Sequence, residues 1–141
     1  MNLSRLIQES IITLLEAEDY IIDNSIDVRG WFSVDDEIDG QQIIIHSNPE
    51  IPSLQDENGE AQEWAVSVDT MSYTHNTQDL VVDGQTLYEF LFGWTNSLTA
   101  AQIATATGLN ITGKWTVESG EQYDDRFRGK ISSFEVYCNE V

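Results

Sequence analysis

The apolar residues of this chain keep two different periods, and no single type of element satisfies both. Leu3, Leu6, Ile7, Ile11, Leu14 and Leu15 recur at spacings of three and four, with Gln8, Glu9, Thr13 and Glu16 between them. That spacing predicts an amphipathic helix with one core-facing stripe, ending near Glu18 or Asp19 before the β-branched Ile21 and Ile22. In EWAVSVDTMSYT the apolar residues alternate instead, from Trp64 through Val66 and Val68, which predicts a long strand with one buried face. The helical period then returns in LYEFLFGWTNSL, where Leu87, Phe90, Leu91, Trp94 and Leu98 form one stripe and Tyr88 and Phe92 a second beside it. An arc so wide is covered on more than one side, either by the chain's own core or by a neighbouring subunit.

Local signals fill in the rest. RGWFSVDDE and QQIIIHS flank Asp39-Gly40, a pair that favours the positive φ values of a tight hairpin turn. The segment Asn48 to Glu63 holds both prolines, Asn58-Gly59 and five acidic residues, and reads as a long exposed loop or extended arm. Thr99 and Gln102 have capping-box spacing, and Gly108 is placed to stop a short helix. Two strands, KWTVES and RGKISSFEVYC, close the chain. Strand runs set between separated helices predict an α+β domain. It has a mainly antiparallel sheet flanked by two helices, a long acidic loop and a short extra helical excursion.

The length of 141 residues fits one such domain over the whole chain, with a single core. An apolar fraction of 40% argues against a disordered polymer in spite of 25 acidic residues. The net charge of −19 makes free nucleic acid and anionic membranes poor ligands, and its plainest meaning is a well-hydrated surface. Cys138, the only cysteine, excludes an intrachain disulfide and a multi-cysteine metal site, and is expected to be a small buried hydrophobe. No signal-peptide pattern opens the sequence and no run approaches a membrane span. The chain is therefore expected to be made and used without crossing a membrane.

Tests for chemistry return little. In DDEIDGQQIIIH, Asp35, Glu37, Asp39 and Gly40 sit near calcium-loop positions, but His46 stands where a bidentate glutamate is required. His46 and His75 lie on separate segments with no paired-ligand spacing. Asn110-Ile-Thr112 matches a glycosylation acceptor only by chance if the chain is not secreted. Nucleophile elbows, Walker loops and dinucleotide turns are absent from the sequence, so no catalytic residue, metal or cofactor is expected and the chain is not read as an enzyme.

The basic residues are the remaining anomaly. Of only six, Arg126, Arg128 and Lys130 fall within YDDRFRGKISSFEVY, while Arg5, Arg29 and Lys114 are scattered. In a strand these three project together, and unbroken alternation puts Phe134, Val136 and Cys138 on the same face. A bulge at Ser132-Ser133 would break that phase. A face half basic and half apolar suggests a strand that outruns its own core. The stripe then reads either as solvated charge guarding an edge strand or as an interface. On so acidic a subunit the natural counterpart is a neighbour's acidic surface, in a head-to-tail contact that closes into a ring.

The whole order is an N-terminal helix, a hairpin, a proline-containing loop, a long alternating strand, the LYEFLFGW helix and a closing DDRFRGKISSFEVY strand. It resembles the tail terminator and related tail-completion proteins of long-tailed bacteriophages, over nearly the whole chain. Residues 96–113 stand as an added excursion relative to that family. The resemblance implies a virion structural protein made in the host cytoplasm. As a homo-hexameric ring it caps the tail tube at its head-proximal end and joins it to the neck. DNA passes through without specific binding, since a negative wall lets phosphates slide. Arg126, Arg128 and Lys130, with Tyr88 and Phe92, are then expected at contacts between subunits or with the tube. Asp56, Glu57 and Glu60 are expected to face the lumen or an adjacent ring. Three alternatives stay open: another neck or head-completion protein; a monomeric acidic binding module using Trp31, Trp64, Trp94 and Trp115; and an enzyme with a pocket around His46 or His75.

Overall fold

The computed structural model describes residues 2–30, 41–75, 81–82, 85–123 and 127–139. The predicted first helix is α1, Leu3–Glu16, whose start is capped by the Asn2 side chain accepting from the Arg5 amide. Leu3, Ile7, Ile11 and Leu15 are buried on one stripe. A short α2, Asp19–Asp23, follows at once and carries the Ile21-Ile22 pair that the sequence suggested lay beyond any helix. Tertiary contacts override the β-branched preference here: Ile21 is buried in the core, and the Tyr20 ring stacks on Phe90 with centroids 4.2 Å apart.

Among the described residues six strands make the main sheet: β1 Asp27–Gly30, β2 Gln41–Ser47, β3 Ile51–Gln55, β4 Ala61–His75, β7 Asn110–Tyr123 and β8 Phe127–Asn139. Their order is β1-β2-β4-β8-β7, with β3 pairing the start of β4, while β5 Val81–Val82 and β6 Gln85–Thr86 form a separate small ribbon. All pairs in the main sheet are antiparallel except β1 with β2, which is parallel with Arg29 beside Ile44. This corrects the expected hairpin at the residues of its first arm that are described, Arg29 and Gly30. A parallel neighbour needs a long crossover, which a two-residue turn does not supply. The Asp39-Gly40 turn itself lies outside the described residues.

The segment expected as a loop or arm is an arm. Ile51 pairs with Ala65 and Gln55 with Ala61, so β3 and the start of β4 form a hairpin whose turn spans Asp56 to Glu60. Every residue of β3 is exposed, which is why no apolar alternation marked it as a strand.

The long alternating strand is β4, and it sorts its side chains as predicted: Val66 and Val68 are buried beneath the helices. Its ladder with β8 runs unbroken from Trp64 beside Cys138 to His75 beside Phe127. The feared bulge is therefore absent from β8. The irregularities lie on β7, between Ile111 and Gly113 and between Thr116 and Glu118. Phase along β8 is kept, and Phe134, Val136 and Cys138 are buried on the same face as Lys130.

The second predicted helix is α3, Leu87–Ser97, and the excursion is α4, Ala100–Thr107. The α4 start has the full capping box between Thr99 and Gln102, and Gly108 ends it at φ 74°, a left-handed value that glycine adopts without strain. Helices α1 and α3 cover one sheet face, and their apolar stripes join Ile43, Ile45, Val66, Val68, Phe134 and Val136 in one core cluster. Beneath α3 the core turns polar but stays paired: the Thr70 hydroxyl donates to the Ser132 carbonyl at 2.7 Å, and the Thr95 and Ser132 hydroxyls share a hydrogen bond at 3.0 Å.

Candidate assembly interface

Lys130, Tyr88 and Phe92 come from two distant segments and meet at one corner. Alternation sets Lys130 on the helix-covered face of β8, and the helical period sets Tyr88 and Phe92 one turn apart on α3. The Lys130 Nζ lies over the Tyr88 ring, 4.6 Å from its centroid, and the two aromatic rings are 5.8 Å apart. A cation held over an aromatic face is stabilised by about 0.5–1 kcal/mol at an exposed site. Leu87, Leu91, Thr95 and Leu98 fill the core, whereas Phe92 is 39% exposed. The second stripe is thus not deep core. Arg128 pairs with Thr74 and Tyr123 in the ladders beyond Lys130, its side chain outside what is described, and Arg126 lies outside the described residues.

The other cations have partners within the chain. Arg5 pairs with Glu9 at 2.9 Å and Arg29 with Asp27 at 2.6 Å. Lys114, which the sequence left as a scattered charge, reaches from β7 under α3. Its amine donates to the Thr95 carbonyl in the last turn of that helix and sits 5.1 Å from the Phe134 ring centroid. A cation is favoured at a helix C-terminus, and burial pushes this amine below the ordinary lysine range. Nothing in the sequence signalled its inward direction, since alternation with an inward Trp115 would have turned the lysine toward solvent.

At the far end of β4 the acidic residues divide by role. Asp56 accepts at 2.9 Å from the amides of both Asn58 and Glu60 and shapes the hairpin turn, where Gly59 takes φ 82°. Glu57 and Glu60 remain exposed at the tip. Ser72, the ladder partner of Lys130, stands twelve residues along β4 from Glu60, roughly 40 Å at ~3.3 Å per residue.

The three described tryptophans form no common patch. Trp64 and Trp94 pack partly against the core, with the Trp94 indole donating to Glu18 at 3.1 Å. Trp115 is 69% exposed on the face turned away from the helices, and Trp31 lies outside the described residues. His46 is paired in register with Asp69 on the same side of the sheet, where its neighbours Ile44 and Met71 are buried, and the side chain of His75 is outside what is described. Among the described residues no three His, Cys, Asp or Glu side chains are placed to hold a metal ion, and no helix is long and apolar enough to cross a membrane.

The open face also carries a titrating pair. The Tyr137 hydroxyl donates to Glu135 Oε2 at 2.5 Å. That hydrogen bond, with the nearby charges of Glu135 and Glu63, raises the phenol above its ordinary range. The folded state therefore holds its proton longer than the unfolded chain does. The stabilisation is complete below the ordinary tyrosine pKa and is lost as pH climbs through the raised value. Subtracting a Tyr137→Phe variant isolates this phenol in an alkaline absorbance titration, and Glu135→Gln is expected to bring its midpoint down.

No protein-family model matches the sequence, and no curated protein matches it significantly.

Proposed function

We propose that this chain is a structural subunit of a long-tailed phage virion. It acts as a tail terminator whose copies join head to tail into a hexameric ring, capping the tail tube and linking it to the neck. One observation carries the reading: a cation over the Tyr88 ring and the exposed Phe92 ring sit at one end of the β4–β8 ladder, and Glu57 and Glu60, with no ion pair among the described residues, beyond the other. Unlike surfaces at opposite ends of a rigid element make a heterologous contact, and such contacts close into rings when the rotation permits. The surplus negative charge of the subunit suits the wall of a conduit, because DNA slides past a surface that repels its phosphates. No catalytic step and no cofactor enter this role. Another neck or head-completion ring would use the same contact and differ only in the proteins stacked above and below.

Native mass spectrometry at low and moderate salt tests the proposal, with a parallel sample carrying Arg126→Gln, Arg128→Gln and Lys130→Gln together. The expected result is a closed ring for the unaltered protein and monomer for the triple variant. A monomer in every condition, with no ring formed on added tail tubes, rules the reading out.

A further inference from the structure

The sheet face that no helix covers among the described residues exposes a patch apart from the proposed ring contact. Ile51, Ala65, Tyr137 and Gly113 are neighbours in one row across β3, β4, β8 and β7. Trp115 lies in the adjacent row beside Glu135, and Ile51 and Trp115 are 65% and 69% exposed. An exposed tryptophan beside an aliphatic row is the composition of a binding hot spot more than of a solvated surface.

The carboxylates on this face show what it fits. Glu63 and Glu135 stand on either side of the apolar row, two residues from Ala65 and from Tyr137 along their strands. Glu63 accepts from Ser53 at 3.0 Å and from Thr112 at 2.8 Å, and Glu135 accepts from Tyr137. Among the described residues neither is paired with a cation. Carboxylates already oriented by hydroxyl donors lose little freedom when a ligand arrives, and the faces of Trp115 and Tyr137 add cation–π attraction.

We propose that this face docks a basic segment of a second, different protein, one whose arginine or lysine side chains flank apolar ones. Another copy of this chain is a poor source. It has only six Lys and Arg against 25 Asp and Glu, and three of the six, Arg5, Arg29 and Lys114, are held by partners within the chain. The docking belongs to a lone subunit and does not rest on the ring reading.

The probe is a dye-labelled peptide alternating arginine with valine, measured by fluorescence anisotropy against a peptide alternating arginine with glycine. The expected result is about tenfold tighter binding of the valine peptide. Trp115→Ala and Ile51→Ser each erase that difference, while Glu57→Gln with Glu60→Gln preserves it. Both altered positions are exposed, so thermal melts should be nearly unchanged, and either variant alone suffices if the other misfolds. Equal binding of the two peptides, or a loss shared by the tip variant, would mean diffuse attraction to an acidic protein and overturn the proposal. Self-association that Trp115→Ala abolishes would overturn it too, by making this face a contact between copies. Ring assembly is read separately, so either proposal can fail without the other.

Discussion

Phe134→Ala is expected to lower the unfolding free energy by about 3–5 kcal/mol, the usual cost of emptying a fully packed aromatic site. Phe134 is buried in the middle of β8, flanked in register by Val68 on β4 and Thr116 on β7. Lys114 lies over its ring and ties α3 to the sheet, so the truncation also removes the apolar surface that this amine rests on. The unbroken ladder with β4 leaves little room for collapse into the cavity. Against a typical total of ~5–15 kcal/mol the loss is a large fraction of the whole. Urea titration should show a lower midpoint with an unchanged slope. Phe92→Ala, on the exposed stripe of α3, should cost less than about 1 kcal/mol in the same experiment. Equal losses at the two positions would mean that both stripes of α3 are core and that the exposed corner is misassigned.

The elements readable from sequence are those whose signals are local. Helix α1 and strand β4 declared themselves by period, and α4 by the Thr99–Gln102 box and Gly108, because a buried stripe or a cap needs only near neighbours to be specified. The parallel pairing of β1 with β2 was illegible: Asp39-Gly40 reports a turn preference, whereas strand choice depends on residues far away in the chain. Strand β3 was hidden for the opposite reason, since an exposed edge strand buries nothing and need not alternate. The candidate corner was half legible. Strand parity and helical period gave the directions of Lys130, Tyr88 and Phe92, but their meeting follows from how α3 crosses β8. Lys114 was missed because an inward lysine on an edge strand becomes intelligible only when the last turn of α3 is seen above it.

Charge reversal at the two ends of the ladder should control assembly in a pattern that only head-to-tail contacts produce. Lys130→Glu sets a carboxylate at the corner against an acidic tip, and Glu57→Lys with Glu60→Lys sets a basic tip against a basic corner. Each exposed charge pair is worth about 1 kcal/mol or less, but the loss recurs at every contact of a closed ring, so either variant alone is expected to remain monomeric. Mixed together, the two variants regain complementary charges at every junction if they alternate around the ring. The corner carboxylate of one meets the basic tip of the other, and the next junction is again the native pairing. Alternation closes only in a ring with an even number of members, which a hexamer satisfies. A symmetric corner-to-corner dimer predicts something else, because native Lys130 would then face itself and Lys130→Glu mixed with unaltered protein would pair best. Native mass spectrometry of the mixture separates the cases by mass. Assembly of the mixture should fade toward 1 M salt, where screening shortens the reach of charge to about 3 Å. Rings that form equally well from each variant alone would show that charge at these two ends does not hold the subunits together.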